Sequence, residues 1–153
     1  MSRSILVHES PVWREKADFI IAARIHSARG ESKLEQLWAR QLDVNRFEIC
    51  CIPFFVYDLA LGDQVKTSLE QEDRYVIERV TKRSGRYTFR VWFNSPAARQ
   101  ALPEIIIRMG CLVEWQTKGG HLLAIDAESE ALARQVAGVL QQEEDLGHLV
   151  FET

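Results

Sequence analysis

The hydrophobic pattern of this chain changes its period after residue 93, and this change constrains the fold more than any other feature of the sequence. Before that point apolar and polar residues alternate, as in half-buried strands. Beyond it apolar residues recur at helical spacing up to Gly110, a natural C-terminal stop. Ser95 and Pro96 supply an N-cap and a first-turn proline, so a helix is predicted from here. Pro103 lies inside it and predicts a kink or the opening of a second helix.

The rest of the second half continues this alternation of strands and helices. Strands are predicted at residues 111–116 and 121–125, on either side of a glycine turn. A second helix is predicted from about 129 to 142, and a short strand at 149–151. From Tyr87 onward the predicted order is therefore strand, helix, strand, strand, helix, strand, which is the ferredoxin-like or split βαβ order.

The first half contains strands and turns without a strong helix signal. Strands are predicted at 19–25, 47–52 and 64–69, whereas Leu37–Leu42 fits either a strand or a helix. Turns are predicted at 29–32 and at 61–63. This pattern favours a small, strongly bent sheet or a partial barrel.

A hairpin from Tyr75 to Phe93, turning at Ser84 and Gly85, is predicted to join the two halves. The predicted fold class is α+β, with an N-terminal β-rich bent sheet or partial barrel followed by a ferredoxin-like (split βαβ) lobe. The predicted divisions are an N-terminal extension over 1–18, a β-rich lobe over 19–86 and a ferredoxin-like lobe over 87–153, with the hairpin shared.

Composition excludes several classes of protein. Apolar residues make up 46% and charged residues 27% of 153 residues, as in ordinary globular domains. The longest apolar stretch, Ile49–Tyr57, is far shorter than the roughly 20 residues of a membrane span, and the first residues lack a secretory apolar region. Three cysteines make a disulfide framework unfavourable. We therefore expect a cytoplasmic protein with reduced thiols and no membrane contact.

The reactive residues do not form a recognisable catalytic or metal-binding pattern. Cys50 and Cys51 are adjacent, so on a strand their side chains would point to opposite faces. The four histidines are scattered singly, and Cys111 and His121 fall out of register across their hairpin. No phosphate loop, nucleophile elbow or dinucleotide motif occurs. We expect no catalytic residues, no metal and no cofactor, and a small enzyme with an unrecognised site is the third hypothesis.

Binding to another protein is the leading hypothesis. The net charge is −3, but residues 126–153 hold seven acidic residues against one arginine. The acidic run Glu143, Glu144 and Asp145 suits a basic partner, such as a toxin domain. Trp13 lies in a polar segment and is a candidate aromatic anchor, unless it covers the core. The prediction is a non-enzymatic bacterial protein-binding factor, in its most concrete form an immunity protein that occludes a toxin.

Nucleic-acid binding is the alternative. Residues 74–90 hold six basic residues against one glutamate, and the hairpin adds Tyr87 and Trp92 for base stacking. The RNA-recognition signature is absent, and the overall charge is acidic. The residues that would contact RNA or DNA are the four hairpin arginines, Arg79, Arg83, Arg86 and Arg90. Neither hypothesis predicts an oligomeric state.

Several short motifs in order resemble a known bacterial family. They are Leu37-Trp38-Ala39, Ile52-Pro53-Phe54-Phe55, Leu61-Gly62-Asp63, Glu78-Arg79-Val80, Ser84-Gly85, Arg90-Val91 and Met109-Gly110-Cys111. Together, over about residues 19–151, they resemble the family labelled domain of unknown function 4265. The resemblance implies a small bacterial cytoplasmic protein and assigns no catalytic residue. Immunity to a toxin is an analogy with other families of this size.

Overall fold

A computed structural model describes residues 4–26 and 32–153, and the chain divides into two compact units, Met1–Ser84 and Gly85–Thr153. The protein is a mixed α+β structure with two sheets and two helices. The sequence-based boundary stands after residue 86, and the structure divides the chain after Ser84. The N-terminal residues predicted as an extension belong to the first unit, where they add a strand.

The first unit consists of strands joined by turns and one long loop. The strands are β1 (Ser4–Leu6), β2 (Phe19–His26), β3 (Ser32–Gln41), β4 (Arg46–Ile49), β5 (Gln64–Glu70) and β6 (Arg74–Lys82). The predicted strands at 19–25 and 64–69 are confirmed, and the ambiguous segment 37–42 lies in a strand except for its last residue. The predicted turn at 29–32 falls mostly outside the described residues.

These strands pair in a ring. The neighbours from β2 to β6 are antiparallel in chain order, and β6 returns to pair in parallel with β2. β1 lies outside this ring, parallel to β3, with Ile5 opposite Leu34 and Leu6 opposite Glu35. The alternating apolar residues of the strands point inward and form the main core of this unit, including Ile21, Leu37, Phe47, Ile49 and Val65.

Most of the loop between β4 and β5 is buried although it contains no strand, and we call it the buried loop. The predicted strand at 47–52 ends at Ile49, and Ile52, Phe54 and Leu61 lie buried in the loop that follows. A buried loop must satisfy its backbone polar groups, and here side chains do so. Asp63, for example, accepts a hydrogen bond from the backbone N–H of Ala60. The turn predicted at 61–63 is confirmed.

The second unit has the element order that the sequence predicts. Its elements are β7 (Tyr87–Phe93), α1 (Pro96–Arg108), β8 (Leu112–Trp115), β9 (Leu122–Ala127), α2 (Glu130–Asp145) and β10 (Leu149–Glu152). The strands form an antiparallel sheet in the order β10-β7-β9-β8. Both helices contribute to one core with the inward residues of the sheet, among them Phe89, Val91, Leu123, Ile106 and Val136. Among the described residues, the helices are too short or too polar to cross a membrane.

The predicted helix starts are confirmed. The side chain of Ser95 accepts a hydrogen bond from the backbone N–H of Ala98, and Ser129 does the same at the start of α2. α1 continues through Pro103 to Arg108, so no second helix opens there.

The predicted Tyr75–Phe93 hairpin is wrong. β6 pairs with β2 and β5, whereas β7 pairs with β9 and β10, so the two arms belong to different sheets. At the intended turn, Ser84 donates its backbone N–H to the Asp63 carboxylate at 2.8 Å and its hydroxyl to the carbonyl of Leu61 at 2.7 Å. Alternation correctly identifies both strands, but it carries no information about their partners. The residues between them connect one sheet to the other.

Candidate functional site

The first unit contains a fully buried pair of polar side chains, His8 and Glu35. Nε2 of His8 lies 2.6 Å from Oε2 of Glu35, and both side chains are completely shielded from solvent. The imidazole also stacks on the ring of Phe54, with centroids 4.2 Å apart and an angle of 11° between the planes. The backbone carbonyl of His8 accepts a hydrogen bond from the indole N–H of Trp38 at 3.1 Å. His8 is therefore held on its ring face, its ring edge and its main chain.

Glu35 is surrounded by donors. Besides His8, the backbone N–H groups of Phe54, Phe55 and Val56 donate to its two carboxylate oxygens at 2.8, 3.0 and 3.1 Å. Burial alone raises the pKa of this carboxyl. The hydrogen bond and charge of His8 and the backbone donors lower it by more than burial raises it, so the pKa lies below its usual value. Glu35 is therefore ionised in the folded protein and accepts the proton on Nε2 of His8.

This pair joins three pieces of the first unit. Glu35 lies on β3, the three backbone donors lie on the buried loop, and His8 lies on the segment before β2. We call residues 4–18 the strap. Because no atom of either side chain is exposed, the pair cannot reach a substrate in this conformation. Its chemistry is that of a buried, charge-assisted fastening between the strap and the strands of the first unit.

The strap makes further contacts along its length. The backbone N–H of Trp13 donates to the carbonyl of Cys50, and that of Asp18 donates to the carbonyl of Ala39. The Asp18 carboxylate accepts a hydrogen bond from the backbone N–H of Gln41 at 2.8 Å. Nζ of Lys16 lies 2.8 Å from a carboxylate oxygen of Glu48, an ion pair at the surface.

Two open grooves are lined by strap residues. The larger has a volume of about 650 Å³, and its mostly apolar lining includes Val7, Ile20 and Trp38. Ile20 and Trp38 are opposite each other in the β2–β3 pairing, and Ile20 is 41% exposed. The smaller groove, of about 570 Å³, is lined by residues 12–16. The strap therefore shapes an exposed apolar surface on the first unit.

Trp13, the predicted aromatic anchor, is partly buried. The ammonium of Lys16 lies 4.5 Å from the centre of its ring, a cation–π contact. The far edge of the ring lies so close to the Cα of Gly62 that a Cβ there would be 3.4 Å from it. Trp13 therefore covers part of the buried loop and also lines the smaller groove.

The predicted acidic residues lie at the end of α2 and contact their own unit. The carboxylate of Glu143 lies 2.6 Å from Nδ1 of His148. Glu144 accepts the backbone N–H of Phe151 at 2.9 Å, which satisfies a donor of the strand β10 at the edge of the sheet. Asp145 is exposed and accepts a hydrogen bond from the side chain of Gln141.

The four arginines predicted to bind nucleic acid are divided between the two units. Arg79 is exposed on β6, and the guanidinium of Arg83 contacts the carbonyl of Asp58 and the carboxylate of Asp63. Arg90 is buried on β7. Since the hairpin does not form, these side chains do not share one element.

Arg86 forms a partly buried ion pair with Asp126, at 2.6 Å. Burial raises the pKa of the Asp126 carboxyl although Arg86 opposes this effect, and the carboxylate in turn raises the pKa of Arg86. The guanidinium of Arg86 is therefore already committed to a carboxylate of its own unit.

The cysteines are buried, free thiols. Burial raises the pKa of Cys50 to about 12 and that of Cys111 to about 11, so neither is a thiolate at neutral pH. Within the described part of the chain, no three His, Cys, Asp or Glu side chains converge to hold a metal ion.

Sequence reasoning missed both members of the buried pair. His8 and Glu35 lie 27 positions apart, in no motif with a known spacing. The nearest signal is Glu35 itself, a charged residue that follows Leu34 on a strand where both are buried. The donors around Glu35 come from the buried loop, and the path of that loop depends on tertiary contacts that the local sequence does not specify.

Comparison with known proteins gives the family and the fold. The family model described as "Domain of unknown function (DUF4265)" matches residues 35–151, so Glu35 is its first matched residue and the strap lies before the match. A solved structure described as "Novel crystal structure of a hypothetical protein from Neisseria gonorrhoeae" is similar, with 18% identity and a TM-score of 0.74 over 87% of this chain and 91% of that chain. No curated protein matches.

The family model and the predicted resemblance agree over most of the chain. The likeness to the solved structure shows a shared fold and nothing about activity. The chain belongs to the DUF4265 family.

Proposed function

We propose that this protein is a non-enzymatic protein-binding factor whose partner contacts the surface shaped by the strap. The observation that carries the proposal is the larger groove, an open and mostly apolar surface on the first unit. Exposed apolar grooves rimmed by polar groups are typical of interaction sites, and large side chains near their centre contribute most of the binding energy. Val7, Ile20 and Trp38 supply such side chains here.

The most concrete form of the proposal is an immunity protein that occludes the site of a basic toxin domain. Charge supports this form: the second unit carries nine acidic residues against six basic ones, whereas the first unit has thirteen of each. Asp145 and the other acids at the end of α2 add local negative charge, which would accelerate encounter with a basic partner. We also propose a cytoplasmic location, where three free thiols would stay reduced.

We infer further that the second unit is a ferredoxin-like lobe. Support comes from the β-α-β-β-α-β order, the antiparallel strand order β10-β7-β9-β8 and the core that both helices share with one face of the sheet. Such lobes occur in proteins of many functions, so the inference about the fold carries no argument about activity.

The test of partner binding compares two matched substitutions. Ile20→Glu places a charge in the larger groove, whereas Val44→Glu places the same charge on the loop between β3 and β4, where the side chain is 77% exposed. We expect purified I20E to lose affinity for the partner by about tenfold or more, and V44E to bind like the unchanged protein. Quantitative capture from the producing cell, followed by titration with the isolated partner, measures this difference.

Nucleic acid is the competing outcome of the same experiment. If RNA or DNA is retained, its binding weakens steeply with salt, and I20E does not reduce it, then the protein-binding proposal is wrong. Equal capture of one protein by I20E and V44E would also contradict it, because the groove would then lie outside the contact surface.

A further inference from the structure

We propose that the buried His8–Glu35 pair is a latch that fastens the strap, and that the strap can separate from an otherwise folded first unit when this pair is broken. We infer the latch from the geometry of the His8–Glu35 pair alone. Its consequence for binding rests on the proposed function, because the strap then controls whether the partner surface exists.

The buried contacts of the strap are concentrated at His8. His8 bonds to Glu35, stacks on Phe54 and accepts the indole N–H of Trp38, so ring and backbone are both engaged. Two of these neighbours tie it to β3, and the third ties it to the buried loop. Removing His8 is costly because the buried Glu35 carboxylate then keeps its desolvation penalty without the hydrogen bond of the imidazole.

Besides the latch, the strap is held by single backbone hydrogen bonds, by the ring of Trp13 and by short or exposed contacts. Trp13 donates its backbone N–H to Cys50, and Asp18 donates its own to Ala39. β1 contributes only a three-residue pairing with β3. The Lys16–Glu48 pair is 45% and 13% exposed, and exposed ion pairs add little stability. Arg14 lies over the ring of Trp38 at 5.5 Å, also near the surface. We therefore expect loss of the latch to open the strap locally before the rest of the first unit unfolds.

The latch and the larger groove share a residue. His8 and Trp38 both line the groove, together with the strap residues Val7 and Asp18. If the strap separates, one wall of the groove leaves with it. The latch would thus govern the partner surface although the side chains of His8 and Glu35 are themselves buried.

The strap contains its own reporters. Arg14 and Lys16 are exposed trypsin sites within it. The backbone N–H of Trp13 donates to the carbonyl of Cys50, and the charge of Lys16 acts on the Cys50 thiol, so we expect strap release to uncover this cysteine. Cys111, a buried thiol of the second unit, reports any opening that is not local.

The experiment compares His8→Ala with His148→Ala in the full chain. The pair of His148 with Glu143 has the same 2.6 Å distance but is 41% and 28% exposed, so it is a matched control. We expect H8A to raise cleavage after Arg14 and Lys16, and alkylation of Cys50, by about tenfold or more. Cys111 should stay protected, and H148A should match the unchanged protein. Mass spectrometry of the peptides measures all of these rates.

Two results would overturn the latch. One is wild-type rates of cleavage and alkylation in H8A. The other is equal labelling of Cys50 and Cys111, which would mean that the chain opens globally. If H8A does not fold, native-state hydrogen exchange of the unchanged protein decides: the amides of Trp13 and Asp18 must exchange before those of β3, and simultaneous exchange overturns the proposal.

Partner binding separates this proposal from the preceding one. Strap release in H8A together with loss of the partner supports both. Strap release with the partner still bound supports the latch and contradicts the strap surface as the binding site. No strap release overturns the latch whatever the partner does.

Discussion

Some charged residues of this protein are buried and bonded to other side chains, whereas others are solvated at the surface. Glu35 and Asp126 are fully buried and bonded to a histidine and an arginine of their own units, and Arg90 is also buried. In the sequence, the same residue types are indistinguishable from solvated charges. The arginines predicted to bind nucleic acid illustrate the difference, because Arg86 and Arg83 each contact an acidic residue of their own unit. A cluster of charges in sequence is therefore weak grounds for a binding surface.

At this scale Glu35 makes stability depend on acid. A carboxyl whose pKa is lower in the folded than in the unfolded chain contributes stability above its unfolded pKa, here 4.5, and loses it as the pH falls through the folded value. We expect the free energy of unfolding to fall as the pH drops below about 4.5. Glu35→Gln should reduce that free energy near pH 7 by about 2–3 kcal/mol and flatten its pH dependence in acid. Urea unfolding between pH 3 and 7 measures both effects.

The control for this prediction is Glu9→Gln, an exposed position on the strap. E9Q should unfold like the unchanged protein over the same pH range. If E35Q keeps the acid dependence of the unchanged protein, Glu35 is not its source.

Local sequence rules predict where individual helices and strands form, but they do not predict which strands pair with each other. Both helices begin at the serine caps that the sequence marks, because capping involves residues three positions apart. β6 and β7 form where alternation predicts them and yet pair in different sheets. The path of the chain after β6 depends on Ser84, which is held by Asp63 and Leu61 from 21 and 23 positions away.

The turn at Gly62 offers a test of this anchoring. Gly62 has a φ of +82°, and an added Cβ would lie 3.1 Å from the Cβ of Ser84. Gly85 has nearly the same φ, +83°, with open space around it. Gly62→Ala should therefore destabilise the protein by about 2–4 kcal/mol, and Gly85→Ala by about 1–2 kcal/mol, since both pay for backbone strain and only the first for crowding. Thermal and urea unfolding of the two variants will show whether G62A is the less stable.

At the scale of the whole molecule, the chain divides into two compact units, each with a hydrophobic cluster of its own. Among the described residues, the cluster of the second unit runs from Phe89 to Phe151. The net charge is also uneven, with the acidic excess confined to the second unit. The predicted hairpin would have put β6 and β7 in one sheet, whereas in the described residues β6 pairs in the six-stranded sheet and β7 in the four-stranded sheet.

The separate core predicts that a fragment covering residues 85–153 folds alone. We expect it to show helical circular dichroism and a cooperative thermal transition, at a stability below about 5 kcal/mol because such a short chain buries little apolar surface. A random-coil spectrum at low temperature would contradict this. Such a result would mean that the second unit needs the first in order to fold.

The candidate site could not be predicted in the same way as the elements. Trp13 stands out in the sequence because a large aromatic side chain in a polar segment needs an explanation, and the structure gives one in its contact with the buried loop. His8 gives no such signal. The contact of its side chain with Glu35 depends on β1 pairing in parallel with β3 and on the loop that brings Phe54 over the ring.

The sequence by itself determined the α+β class, both helices, most strands and the element order of the second unit. Each of these depends on periodicity, capping or turn preferences, which act over a few neighbouring residues. Only the tertiary structure decided which strands pair, which charges are buried and how the strap is fastened to the rest of the first unit. Those outcomes depend on contacts between residues far apart in the chain, and their energies arise only when the folded backbone brings the groups together and removes water from around them.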